Sequence, residues 1–449
     1  MREHDVIVIG SGSGAIVADE ALEHGYSVAI IDKGKLGGTC LNVGCIPSKL
    51  LIYPAERISE IKDSEKLGIK AGVNEIDFEG IMKRMRDSVS SERNEIRKGI
   101  ERSSMEYYDE KAEFIDDYTL ALESGDRIKG KKIFIASGAR PLVPRIDGIE
   151  KADYLTNESV LELKKKPDSI VIVGGGYIAA EYGHFFHSMG TEITIVQREK
   201  LLLPNEEPEI SALITKNYSE RMKLYLNHEA VEIRSESVTI KDRDSGEKKE
   251  LSADKVMIAA GRASNSDILM PEKSGIALDE RGYIKVNEYL ETSKKGIFAF
   301  GDAIGKQMFR HVANMEAQIA ANNAFHKDRV PMDYSAAPHA VFSYPQIASV
   351  GMKEKDARKK NKVMVGTAKY SETAMGEAMV EKDGFAKIIV DAGNGEILGF
   401  HIIGPDASML IHEVIVAMAN KLSYMDLANA MHIHPALSEV VLGTLQNLK

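Results

Sequence analysis

One pattern occurs twice in this chain, and it limits the fold more than any other feature. "HDVIVIGSGSGAIVADEALEHGYSVAIIDKG" begins at His4, and "DSIVIVGGGYIAAEYGHFFHSMGTEITIVQRE" begins at Asp168. Each copy reads as an apolar strand, a glycine turn, an amphipathic helix of roughly fifteen residues and a second apolar strand. That is a βαβ unit carrying a dinucleotide fingerprint. Gly10, Gly12 and Ala15 take the G-x-G-x-x-G/A positions in the first copy, and Gly174, Gly176 and Ala179 take them in the second. The glycines let the backbone turn sharply and approach a pyrophosphate, which then faces the free N–H groups of a helix start. A lone fingerprint is often only a tight turn. Here strands flank both copies, so two dinucleotide sites are expected, or one site and a relic.

The second strands end differently. The first ends at Asp32, where an acid can accept ribose hydroxyls. The second ends at Gln197, followed by Arg198. No carboxylate stands there to repel a 2′-phosphate, and Arg198 is suited to pair with one. Otherwise Arg198 is a solvated charge at a strand end.

At 449 residues the chain has room for about three domains. A net charge of -10 argues against a nucleic-acid partner. No apolar run is long enough to span a membrane. The N-terminus enters a strand at once, leaving no room for a signal peptide. With only two cysteines, a reducing cytoplasm is expected. Residues 82–111 read as one long surface helix with a solvated charged face. From Tyr334 onward, strands precede helices, as in a separate α+β domain.

Both cysteines lie in "GGTCLNVGCIPSKL", just past Asp32. Pro47 reads as the first residue of a helix, which puts Cys45 at the helix N-terminus, where a thiol pKa falls. Lys49, four residues on, shares its face. Cys40 belongs on a bent lead-in made flexible by Gly44. Zinc needs about four ligands, and no second cysteine pair or histidine cluster is present, so no metal is expected. A staple over so short a loop stabilises little. A dithiol beside an electron-carrying cofactor explains the placement best, with two unrelated buried cysteines as the alternative.

These residues closely resemble the flavin-dependent pyridine nucleotide–disulfide oxidoreductases, over Val6 to about Leu445. The resemblance implies an α/β fold of two Rossmann-like dinucleotide-binding domains and a C-terminal α+β dimerisation domain. FAD would take residues 1–147 and 272–333, NAD(P) residues 148–271, and the dimer interface residues 334–449. It implies a redox-active disulfide between Cys40 and Cys45, with Cys45 toward the flavin and Cys40 toward substrate. It assigns FAD contacts to Gly10, Gly12, Ser13, Gly14, Asp32, Lys33, Gly38, Thr39, Glu113, Ser137, Gly138, Asp302, Met308, Phe309 and His311. Arg310, between the last two, is bulkier than the family's usual alanine. On the nicotinamide side it assigns Gly174, Gly176, Tyr177, Ala179, Gln197, Arg198, Gly261 and Arg262. Glu181 in "YIAAEYG" would pair with Lys49, and Tyr177 would cover the nicotinamide pocket.

"HIHPALSEVV" resembles the family's H-P-T-x-S-E segment, with Ala436 replacing threonine. A thiol must become a thiolate to react, and His434 suits the base's role near neutral pH. Glu439 would hold its other nitrogen. In the family this segment reaches the other subunit's disulfide, which implies a homodimer. "HIHPALSE" is closest to the dihydrolipoamide dehydrogenase branch. That branch works on a lipoyl arm of a 2-oxoacid dehydrogenase or glycine-cleavage complex. Tyr177 and Arg198 instead resemble the NADPH-dependent reductases of small disulfides such as those of glutathione and mycothiol.

Overall fold

The computed structural model describes all 449 residues. The first glycine turn connects strand β1 (Arg2–Ile9) to helix α1 (Gly14–Glu23), which returns to β2 (Val28–Ile31). β1 and β2 pair in parallel, and Val28 to Ile31 are all buried. Strands covered on both faces read as unbroken apolar runs, as "VAII" does. Burying one such side chain is worth roughly 1.5–3 kcal/mol.

Helix α2 (Gly38–Val43) holds Cys40, and helix α3 (Cys45–Asp63) begins at Cys45. The expected bent lead-in is therefore a short helix, and the bend is confined to Gly44. A Cβ there would lie 2.9 Å from the Thr39 carbonyl oxygen. Pro47 is the third helical residue, not the first.

Helix α4 spans Phe78–Arg102, shorter than the expected 82–111 and starting earlier. Residues past Arg102 form β3 (Glu106–Tyr108), which pairs with β2. The "EYY" run is strand-forming and lies beside a ready sheet edge. The charged face of α4 is solvated as expected, while Phe78, Met82, Met85 and Val89 are buried.

The first sheet is completed by Arg127–Ile135, Thr119–Leu122 and Ala112–Asp116, with Ile297–Ala299 pairing alongside Arg127–Ile135. The chain thus leaves this sheet and returns to it some 160 residues later. In between lies a second, wholly parallel sheet of Lys223–Leu226, Glu192–Gln197, Ser169–Val173, Lys255–Ile258 and Tyr154–Leu155. Its fingerprint helix is α5 (Tyr177–Ser188), and α6 (Pro208–Ser219) follows. The two fingerprint helices are 10 and 12 residues long, shorter than the expected fifteen, because each ends one turn before the following strand. Helix α7 (Arg310–Phe325) packs against α1. The C-terminal part is a five-stranded antiparallel sheet, from Pro338–Val341 to Ile397–Ile403, with short helices. No helix is long and apolar enough to cross a membrane.

Candidate active site

One cleft of about 2700 Å³ runs past both glycine turns and the cysteines. That is several times the roughly 300–1,000 Å³ of a pocket for one small ligand. The two turns are built alike. Gly10 has φ +104°, and a Cβ on it would sit 2.2 Å from the Ala136 carbonyl oxygen. Gly174 has φ +124°, and its Cβ would sit 2.2 Å from the Ala259 carbonyl oxygen. Only glycine permits either crossing of backbone on backbone, and each leaves a helix start bare beside it.

Near the first turn, Gly12, Ser13, Lys33, Gly38, Thr39, Ser137 and Gly138 line the cleft with Asp32. The Asp32 carboxylate accepts from Ser11 N at 2.8 Å and from Gly34 N at 3.0 Å, which shapes the loop. The Ser137 hydroxyl is buried without a hydrogen-bond partner. A buried orphan of this kind fits a polar cofactor at its side. Met308, Phe309, His311 and Asp302 line the opposite wall. Burial pushes the Asp302 carboxyl up, against the Arg262 guanidinium 3.3 Å away. Arg262 therefore reaches across from the second nucleotide region to the first. Beneath Asp302, burial raises Glu316 to about 7, although it accepts from Gly301 N and Tyr334 Oη, each at 2.6 Å.

Three expected cofactor residues do not line the cleft. The Glu113 side chain turns outward to Lys273, 3.5 Å away, because β-strand alternation aims it off the wall. Its neighbours Glu110, Lys111 and Ala112 line the cleft instead. Gly14 and Ala179 are buried in helix–strand packing. A Cβ on Gly14 would lie 2.7 Å from Val8, so smallness there serves the packing.

At the second turn, Gly176, Tyr177, Gln197, Arg198 and Gly261 line the cleft. The Gln197 side chain packs on Gly175 and accepts from Arg198 N at 2.9 Å. The Arg198 guanidinium faces no carboxylate within ion-pair distance.

Between the turns lies the dithiol. Cys45 is lowered to about 7, chiefly by the Cys40 thiol donating to it and further by Lys49, against partial desolvation by the surrounding protein. Cys40 is pushed up by that same hydrogen bond and by burial. Lys49 Nζ lies 2.8 and 2.7 Å from the two Glu181 oxygens, as expected from the sequence. Glu181 also accepts from Phe342 N at 3.1 Å. Cys45 and Lys49 lie one turn apart on α3, and Tyr177 and Glu181 one turn apart on α5, so the two helices present matched pairs. Arg310, the first residue of α7, lies against Gly12 and bears on Cys40 electrostatically.

His434 Nδ1 lies 2.8 Å from Glu439 Oε1, and Ala436 N donates to Oε2 at 3.1 Å. The His434 contact holds the Glu439 carboxyl below its usual range. The His434 side chain is 73% exposed and lies outside the cleft that contains the cysteines. His432 pairs with Glu413 at 3.1 Å, a second couple that the doubled histidine of "HIHP" could have flagged.

The sequence reading also missed Glu206 and His339. His339 Nε2 lies 2.8 Å from Glu206 Oε1 across 133 positions of chain, and no local pattern signals such a pair.

A family model described as pyridine nucleotide-disulphide oxidoreductase matches residues 4–318, and that family's dimerisation domain matches residues 337–444. Mycothione reductase of Mycobacterium tuberculosis is 33% identical, covering 100% of both chains. Dihydrolipoyl dehydrogenase of Geobacillus stearothermophilus is 35% identical, over 98% of this chain and 95% of its own. Mercuric reductase of Staphylococcus aureus is 34% identical, over 97% and 81%. Among solved structures, the HOCl-induced flavoprotein disulfide reductase RclA from Escherichia coli superposes with a TM-score of 0.87. It is 28% identical, over 98% of this chain and 99% of that one.

Proposed function

The chain belongs to the pyridine nucleotide–disulphide oxidoreductases, whose cofactors are FAD and NAD(P)H, and from that premise we propose a dithiol–disulfide exchange enzyme of the dihydrolipoyl dehydrogenase type. The observation that carries the reading is the run Cys40, Cys45, Lys49, Glu181 set between two glycine turns in one cleft. Bound FAD supplies a two-electron carrier between nucleotide and cysteines.

The chain's own groups handle sulfur and protons. The low Cys45 pKa keeps its sulfur as thiolate near neutral pH, with Lys49 as counter-charge. Cys40, the more protonated sulfur, performs exchange. In the reducing direction its thiolate attacks a substrate disulfide and releases one thiol. Cys45 then attacks Cys40 in the mixed disulfide, forming the Cys40–Cys45 bond and releasing the second thiol. Two electrons leave the cysteines and the substrate takes up two protons. The oxidation of a dihydrolipoyl dithiol runs these steps backward. His434 Nε2, with Nδ1 held by Glu439, carries the proton to and from the sulfurs. Because His434 is exposed and outside the cleft of its own chain, a second copy in a homodimer brings it to the cysteines. The "HIHPALSE" segment supports this branch, and the 35% identity to a dihydrolipoyl dehydrogenase is compatible with it, as the similar identities to mycothione and mercuric reductases are with others.

One observation favours a second reading. Arg198, free of any carboxylate partner at the second turn, suits the 2′-phosphate of NADPH, and with it the reduction of a small disulfide. Steady-state rates decide between them. Dihydrolipoamide with NAD⁺ should outrun glutathione-type disulfides with NADPH by at least tenfold in kcat/KM. The reverse order refutes the dihydrolipoyl type and leaves the second reading.

A further inference from the structure

The far ends of α1 and α7 converge on one cluster of side chains. Glu20 and His24 lie one turn apart at the end of α1 and share a face. His24 is the residue after that helix, and His326 is the residue after α7, which packs alongside it. His326 Nε2 lies 3.5 Å from Glu20 Oε1. The His24 and His326 rings meet edge to face, with centroids 5.1 Å apart. One nitrogen from each imidazole and one Glu20 oxygen all lie within 4.8 Å of one another. The sequence shows no histidine cluster here, because only the packing of α7 on α1 brings the third member to the other two.

This donor set has a definite chemistry. Two imidazoles and a carboxylate suit borderline divalent ions such as zinc, and an ion held by three protein groups keeps a fourth position for water. Donors about 2.1 Å from a tetrahedral ion stand roughly 3.4 Å apart, close to the Glu20–His326 spacing. The wider spacings close by rotation of two exposed imidazoles. The place also suits a cation. The ends of α1 and α7 carry unpaired carbonyls and about half a negative charge each. Lys132 serves one of those carbonyls, that of Ala324. The one ion-pair partner of Glu20 is His326. A second grouping shows the contrast. Glu207, Glu209 and Glu354 also lie close together, but Lys387 Nζ already pairs with all three, at 3.0, 3.0 and 2.6 Å.

We propose that Glu20, His24 and His326 form a binding site for one divalent transition-metal ion of the zinc class. None of the three lines the active-site cleft. Both helices start at that cleft and end here, so the ion is a structural clip remote from the dithiol. It ties α1, which follows β1, to α7, which follows the returning strand Ile297–Ala299, and so closes the long excursion of chain between them. An ion that binds the folded chain raises its melting temperature. The site stands independently of the oxidoreductase reading.

The test is calorimetric titration of Zn²⁺, with Mg²⁺ for comparison, into untagged, chelator-treated protein as purified, paired with thermal melts. Zn²⁺ should bind this site at one ion per chain and raise Tm by a few degrees, and Mg²⁺ should do neither. Losing even an outer partner of a metal ligand costs about 10–100-fold in affinity. His24→Ala and His326→Ala should therefore each weaken Zn²⁺ binding at least tenfold, and Glu20→Gln should act in the same direction. Both histidines are exposed, so these variants should fold as the wild type does. A wild type that takes up no Zn²⁺ overturns the site. So does an affinity left unchanged by either histidine variant, which would place the ion elsewhere on the chain.

Discussion

Replacing Lys49 with methionine removes the ammonium that faces both Cys45 and Glu181 while keeping the length of its stem. Cys45 is lowered to about 7 from an ordinary 9.0, so about half of it is thiolate at pH 7. Without any lowering, about one in a hundred would be. Three effects lower it, the Cys40 hydrogen bond first, the Lys49 charge second and its own backbone N–H third, while desolvation and Glu181 oppose them. Taking away Lys49 removes the second effect and leaves the Glu181 carboxylate without its counter-ion. A thiolate beside a lost cation is disfavoured, so the pKa must rise. The thiolate fraction at pH 7 should drop by between a few-fold and about 50-fold, the upper limit applying if the whole lowering is lost. Alkylation of the two-electron-reduced holoprotein by iodoacetamide, followed from pH 5 to 10, reads this directly. The midpoint for Cys45 should lie near 7 in the wild type and clearly higher in Lys49→Met. Adding Glu181→Gln should bring it part of the way back. A midpoint that stays put in Lys49→Met would show that Cys40 and the start of α3 suffice, and would refute the counter-ion argument.

His434→Ala should slow exchange with the disulfide about 10²–10⁴-fold while flavin reduction by nucleotide continues. Stopped-flow separates the two half-reactions, and a lost first half-reaction would remove His434 from the base's role. Arg198→Ala should raise KM for NADPH roughly tenfold and leave KM for NADH within twofold; equal changes would end its phosphate role. Gly10→Ala must place a Cβ 2.2 Å from the Ala136 carbonyl oxygen at φ +104°. It should yield a colourless protein with a lowered Tm, and retention of normal yellow flavin would contradict the turn geometry.

The parts legible in the sequence are those where one short stretch holds both the chemistry and its geometry. The βαβ repeats, the cysteine stretch and the His434–Glu439 pair are each local. The Lys49–Glu181 pair spans 132 positions, yet each half has a helical address: Lys49 four residues after Cys45, Glu181 four after Tyr177. Glu206, His339 and Ser349 had no such address, because three separate chain segments meet only once the sheets have packed. The Glu113 side chain faces away from the cleft for the opposite reason. Its neighbourhood was right, but strand alternation gave the wall to Ala112, and a shift of one residue reverses the face. The "EYY" strand was absorbed into a predicted helix because the charged α4 pattern runs into it without a glycine or proline to mark the boundary.

The chain carries a net charge of -10, yet on the proposed function its cleft receives two pyrophosphates and keeps a thiolate. Side-chain cations carry part of this load: Arg198 and Arg310 line the cleft without a carboxylate partner, while Arg262 and Lys49 are paired with Asp302 and Glu181. The backbone supplies the remainder. The helices α1, α3, α5 and α7 begin at Gly14, Cys45, Tyr177 and Arg310, all in or beside the same cleft. Each start presents free N–H groups and about half a positive charge. Four such ends focused on one low-dielectric space favour anions there however acidic the surface is. On the proposed function the same device serves both tasks, seating phosphates at the two glycine turns and favouring the thiolate of Cys45 between them. This also gives a reason for Cys45 to be the first residue of α3: one turn further along the helix a thiol would lie away from the free N–H groups of the helix start.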